Sequence, residues 1–159
     1  MLQDEDFMKI ALEEAQKAFQ EGEVPVGAVL VHSGAVVARA HNQVEKFKDA
    51  TAHAEILCLR AASYALQNWR LVEATLYTTL EPCCMCAGAI ILSRIHRVVW
   101  GAPDIRQGAD GSWVQVLNVK HPIHNVATTG GVLLSESAFL MKTFFQQRRE
   151  GEWKKYLTN

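Results

Sequence analysis

Long hydrophobic runs are missing from this sequence. No apolar stretch in its 159 residues approaches the ~20 that a membrane-spanning helix needs. Cysteine is scarce, at four residues, and three of them crowd into Pro-Cys-Cys-Met-Cys at 82–86. Spaced so closely, Cys83, Cys84 and Cys86 make a poor staple for a domain of this size, which argues against a disulfide scaffold. An excess of one charge is lacking too. Sixteen basic against 17 acidic side chains leave a formal net charge of −1, so no global field announces a nucleic-acid partner, and only a local basic patch stays open. The opening "MLQDEDFMKI" is acidic where a secretory leader would be basic and then apolar, so the expectation is a cytoplasmic protein in a reducing compartment. No repeat, low-complexity segment or linker divides the chain, and a single domain over 1–159 is expected. With 49% hydrophobic and 21% charged residues the composition is that of an ordinary soluble domain, long enough to bury a core.

The local patterns are those of an α/β protein. Residues 4–20 carry Phe7, Ile10, Ala11, Leu12, Ala15, Ala18 and Phe19 on a helical stripe opened by acids, which suit a positive helix start. "VGAVLV" and "AVVARA" flank a tight turn at Gly34 and read as a hairpin. A second helix is expected over "TAHAEILCLRAASYALQ" with Thr51 as its cap, then a strand at "ATLYTTL". Pro82 opens a third helix to about Ser93, "HRVVWGA" is a strand, and Pro103–Ser112 is a loop rich in Gly, Asp and Ser. A short strand is expected near Val126, and a last helix from about Ser135 to Arg149. A hairpin followed by alternating strands and helices implies a mixed sheet covered by helices.

Cys83 and Cys86 lie three apart at a helix start, on one face, where the helix end favours the thiolate that binds metal. Alone, the pair also fits buried cysteines or a redox dithiol. Cys84 points about a third of a turn away, and Cys58 sits within an apolar helix stripe as a core residue does. No second Cys-x-x-Cys and no His-x₃₋₅-His is present to close a structural zinc site. Of six histidines, His32, His41 and His96 fall in or beside strands, and His121 and His124 in the unassigned stretch. His53 differs, because it begins a helix as Cys83 does and has Glu55 two residues on. Helices that follow parallel strands begin at one edge of a sheet, where α/β ligands bind, so both starts can face a common ion. Two thiolates, one imidazole and an open fourth position make a catalytic zinc pattern, with Glu55 as proton carrier.

His-Ala-Glu at 53–55 with Pro-Cys-x-x-Cys at 82–86 resembles the zinc-dependent nucleoside and nucleobase deaminase superfamily. "EVPVGAV" at 23–29, "HN" at 41–42, "TAHAEI", "TLEPCCMCAGAI", "GAPDIRQGADGS" and "FFQQRR" resemble the bacterial tRNA-specific adenosine deaminases over nearly the whole chain. Pro103 stands where that family often has a basic residue, Gln146 and Gln147 dilute the basic end, and "EGEWKKYLTN" matches no motif.

The resemblance implies a three-layer α/β/α cytidine-deaminase-like fold around a mixed five-stranded sheet. It implies one Zn²⁺ per subunit on His53, Cys83 and Cys86, and hydrolysis of adenosine to inosine at wobble position 34 of a tRNA anticodon. Zinc-activated hydroxide would attack adenine C6, with Glu55 shuttling the protons and the Cys84 amide steadying the attacking water's oxygen. Asn42 and the Ala54 backbone would hold the purine, while Asp104, Arg106 and Ser112 would touch flanking nucleotides of the anticodon stem-loop. Phe145, Arg148 and Arg149 would grip the RNA from the basic end, where residues 142–155 carry five basic and two acidic side chains and Phe144, Phe145 and Trp153 interleave. The same residues also fit a packed aromatic face with solvated charges. The family further implies a homodimer, for which "GAIILSRI" at 88–95 offers apolar surface. Two rivals keep part of the pattern: a deaminase of free guanine or cytosine, and a non-catalytic zinc RNA-binding module.

Overall fold

A computed structural model describes the backbone of residues 1–157 and the side chains of residues 1–151. Ten elements follow one another: α1 (Asp4–Gln20), β1 (Gly27–His32), β2 (Ala35–His41), α2 (Val44–Phe47), α3 (Ala54–Ala65), β3 (Thr75–Leu80), α4 (Cys84–Leu92), β4 (Arg97–Ala102), β5 (Ala127–Gly130) and α5 (Leu134–Leu157). The five strands form one sheet in the order β2-β1-β3-β4-β5. β1 pairs antiparallel with both β2 and β3, whereas β3, β4 and β5 run parallel. This is the mixed sheet expected.

Strand periodicity sorts the core into two layers. Ala28, Leu30, Leu76 and Val98 face α3 and α4, meeting Cys58, Leu59, Ala62, Ala87 and Ile90. Val29, Val31, Tyr77 and Val99 face the other way, against Phe7, Met8 and Ala11 of α1. α5 joins α1 on that second face through an edge-on stack of Phe144 against Phe19, with ring centroids 5.9 Å apart. The result is the three-layer α/β/α frame. α1 rides close to the sheet because Gly27 has no side chain, and a Cβ there would collide with the Ala11 carbonyl and the Ala15 amide.

Several boundaries move. Thr51 does not cap α3; its amide and hydroxyl are both spent on Asp49 Oδ1, and His53 holds the cap position. Pro82 falls one residue before the α4 cap, which is Cys83. The last helix begins at Leu134 and runs to Leu157, taking up most of the tail that matched no motif. The single-turn α2 was not anticipated. Its amides at Glu45 and Lys46 donate to the carboxylate of Glu23, at 3.0 and 2.7 Å, a tertiary cap that spacing does not reveal. No helix among the described residues is long and apolar enough to cross a membrane.

One consequence of the topology sets up the site. β2, β3, β4 and β5 all point the same way, with β1 reversed between β2 and β3. The starts of α3, α4 and α5 and the 103–112 loop therefore leave the sheet at one edge, the edge where ligands bind in open α/β sheets.

Candidate metal centre and active site

His53 and Cys83 are the cap residues of α3 and α4, and Cys86 lies in the first turn of α4. The His53 Nδ1 stands 3.6 Å from Cys83 Sγ and 3.6 Å from Cys86 Sγ. An ion held tetrahedrally at ~2.3 Å from sulfur and ~2.05 Å from nitrogen spaces nitrogen and sulfur ~3.6 Å apart, so both nitrogen–sulfur edges already have the length found in a zinc shell, and all three donor atoms lie within 4.8 Å of one another. Cys84 is exposed and turned away, and Cys58 is buried in the α3 core stripe. All four cysteines are free thiols.

The electrostatics call for a cation. Hydrogen bonds from the Cys86 thiol and His53 pull the Cys83 thiol down to about 4, so it is a thiolate at neutral pH. The charged Cys83 sulfur, and then burial, push the Cys86 thiol up. Two thiolates this close are unfavourable without an ion between them, and a divalent metal reverses that penalty. His53 is raised by its bond to Cys83. Glu55 lies behind the triangle, 4% exposed. Its Oε1 accepts the Thr78 hydroxyl at 3.3 Å, its Oε2 is 3.5 Å from Cys86 Sγ, and burial pushes its carboxyl above the ordinary range. A buried carboxyl beside the metal donors suits proton transfer.

A cavity of about 920 Å³ opens over this cluster, with His53, Glu55 and Cys83 in its wall. Ala54 and Asn42 line one side. The Asn42 amide donates to the Val24 carbonyl at 3.2 Å and accepts from the Val44 amide at 3.4 Å, which fixes its orientation and leaves one N–H and a lone pair for a ligand. Asp104 and Arg106 line the cavity as well, as do Phe145, Arg148 and Arg149 from α5. Ser112 does not line the cavity; its amide donates to Glu81 Oε1 at 3.2 Å. Asp104 is partly engaged in its own loop, its Oδ1 accepting the amides of Arg106 and Gln107 at 3.1 and 3.3 Å.

The aromatic end divides in two. Phe144 is 4% exposed and belongs to the core, whereas Phe145 is 41% exposed on the cavity side. Arg148 donates to the Gly22 carbonyl at 2.7 Å and stacks over the Phe144 ring. The side chains of Trp153, Lys154 and Lys155 lie outside the described residues. Of "GAIILSRI", Ile90, Ile91 and Ile95 are buried within this chain, which leaves mainly Leu92, with Met85 about two turns earlier, as exposed apolar surface. Sequence patterns passed over Thr78, Glu81 and Glu23; the two glutamates end up nearly inaccessible, at 1% and 2% exposure. The one signal for Glu81 was a charged residue between an apolar strand and Pro82.

One imidazole and two thiols with no fourth donor in the cluster among the described residues, and a buried carboxyl under a cavity, fit a hydrolytic zinc site on an α/β/α frame. Residues 1–102 match the model for the cytidine and deoxycytidylate deaminase zinc-binding region. The tRNA-specific adenosine deaminase of Bacillus subtilis is 47% identical, over 94% of this chain and 93% of its own length. The chloroplastic tRNA(adenine(34)) deaminase of Arabidopsis thaliana is 50% identical over 91% of this chain, although the chain spans only 12% of that longer protein. A solved structure from studies of A-to-I editing by tRNA:A34 deaminases at the wobble position superposes with a TM-score of 0.81 at 46% identity, covering 84% of this chain and 97% of that one. The chain belongs to the zinc-binding cytidine and deoxycytidylate deaminase family, among its tRNA-specific adenosine deaminases. Its cofactor is zinc, and His53, Cys83 and Cys86 are the donors that fit it.

Proposed function

We propose that this chain, as one deaminase domain over residues 1–159, hydrolyses adenosine to inosine and ammonia at the wobble position of a tRNA anticodon. The observation that carries the proposal is the cluster of His53, Cys83 and Cys86 at the wall of the cavity, both sulfurs 3.6 Å from the imidazole nitrogen, with Glu55 beside it. Zinc on those three residues supplies the Lewis acidity that brings the pKa of a water toward ~7. Glu55 would take a proton from that water as its oxygen adds to C6 and pass it to the purine N1, then carry the remaining hydroxyl proton to the amine as the C6–N bond breaks and ammonia leaves, one carboxylate serving as base and acid in turn. Asn42 and the Ala54 backbone orient the base edge-on. Asp104 and Arg106 hold the nucleotides beside it, and Phe145, Arg148 and Arg149 supply a stacking face and phosphate contacts from α5. Ser112 serves through its loop.

The cavity's basic side chains, rather than its size, favour RNA over a free base. At about 920 Å³ the cavity stays within the ~300–1,000 Å³ range of small-molecule pockets, but its rim carries Arg106, Lys142, Arg148 and Arg149. An anticodon loop offers an unpaired base at little unstacking cost. The proposal extends to a cytoplasmic homodimer with Met85 and Leu92 of α4 at the contact. Incubation with free adenosine, guanine, cytidine and an anticodon stem-loop tests the substrate, with products read by mass spectrometry. Inosine from the stem-loop is expected; turnover of guanine without turnover of the stem-loop overturns the assignment.

A further inference from the structure

The cavity lip is a ten-residue loop, 103–112, with Ile105 80% exposed at its tip, yet the loop is tied down at its base. The tie is Glu81. Its carboxylate is 1% exposed and in no salt bridge among the described residues. Three backbone amides of the loop donate to it instead: Asp104 to Oε2 at 3.0 Å, Asp110 to Oε1 at 3.0 Å and Ser112 to Oε1 at 3.2 Å. Its own amide donates to the Ala102 carbonyl at 2.8 Å, which pins the residue to the end of β4. The next two residues are Pro82 and the metal ligand Cys83. Pro82 accepts from the Ala109 amide at 2.8 Å, and Cys83 bridges to Gly108. Gly108 presses on the Glu81 carboxyl so closely that a Cβ would collide with it.

We infer that Glu81 is a positioning residue, which fixes the 103–112 lip against the metal-ligand turn and so presets Asp104 and Arg106 for the nucleotides flanking the reacting base. A buried anion that bonds to three amides of a loop holds it far more strongly than neutral contacts do, and replacing one oxygen by an amide NH₂ leaves donor facing donor. A lip set before RNA arrives spares the ordering cost at binding. Glu81 borders the cavity, but its carboxylate is almost wholly buried and spent on loop amides, so its effect falls on substrate capture more than on the chemical step. The inference rests on the RNA reading for the identity of the captured group.

The test compares the zinc-loaded wild type with Glu81→Gln. Amide hydrogen exchange at 104, 110 and 112 is expected to quicken with the rest of the chain unchanged and zinc retained. The KM for an anticodon stem-loop is expected to rise about tenfold, the scale of one charge-assisted hydrogen bond, while kcat falls by less than about threefold. Wild-type exchange at those amides overturns the inference, as does a kcat loss with unchanged KM. If Glu81→Gln does not fold, Glu81→Asp, which draws the carboxylate back from the loop amides by one methylene, is held to the same two criteria. A wild type that leaves the stem-loop untouched refutes the RNA reading alone, because the exchange data still judge Glu81 separately.

Discussion

Replacing Glu55 by glutamine isolates proton transfer from everything else in the site. The side chain keeps its volume, and its amide oxygen still accepts the Thr78 hydroxyl that now bonds Glu55 Oε1 at 3.3 Å. None of the three zinc donors is altered. What disappears is the one group, 4% exposed and next to the triangle, that can gain and lose a proton during turnover. General acid–base catalysis is worth roughly 10²–10⁴ in rate, or about 3–5 kcal/mol of barrier at ~1.4 kcal/mol per decade. Because Glu55 serves as both base and acid, Glu55→Gln is expected near the upper end of that loss in kcat. Burial already penalises the charged carboxyl, so a neutral amide costs the fold little, and the melting temperature should stay within ~4 °C of wild type. Single-turnover inosine formation, zinc analysis and a thermal melt on the same preparation make the assay. A variant with full zinc that retains more than about a tenth of wild-type kcat refutes Glu55 as proton carrier.

Two other outcomes follow from the coordinates. Cys83→Ala should empty the metal site, because it removes the thiol held at about 4 that faces His53, whereas Cys84→Ala should leave zinc content unchanged; equal zinc loss from both would contradict the ligand set. Asp4 receives two bonds from the Arg97 guanidinium, at 2.9 and 2.7 Å, and these, with the Tyr77 hydroxyl, hold its carboxyl below the ordinary 3.8. A carboxyl lowered by folding adds stability above its unfolded value and loses it as pH falls through the lowered one. The urea-unfolding difference between wild type and Asp4→Asn should thus be about 1 kcal/mol near neutral pH and shrink below about pH 4, and a difference independent of pH would refute the pairing.

Much of the frame was legible because it rests on local rules. α1 shows a stripe at helical period, the hairpin shows alternation around Gly34, and β3 and β4 are apolar runs between turn signals. Capping was less legible. Thr51 satisfies the preference for a helix cap, but an Asp49 carboxylate two residues away captures both its donors. The stretch 113–134 resisted reading beyond a short strand near Val126 because, outside β5, it has almost no ladder of its own but one bridge, Asp110 to Gln115. Its packing comes through Leu117 and Val126, which join the core cluster.

The chemistry of the site was written in the chain itself. The metal needs particular donor atoms, and His53, Cys83, Cys86 and Glu55 advertise them by identity and by short spacing. Tertiary structure decided what those residues do not encode singly. It brought α3 and α4 to one edge through the shared direction of β2 and β3, and it split Phe144 into the core from Phe145 on the cavity wall. It also made Glu81 the anchor of a loop more than twenty residues away. Such roles depend on which backbone amides face a carboxylate, and only the folded chain brings them within reach.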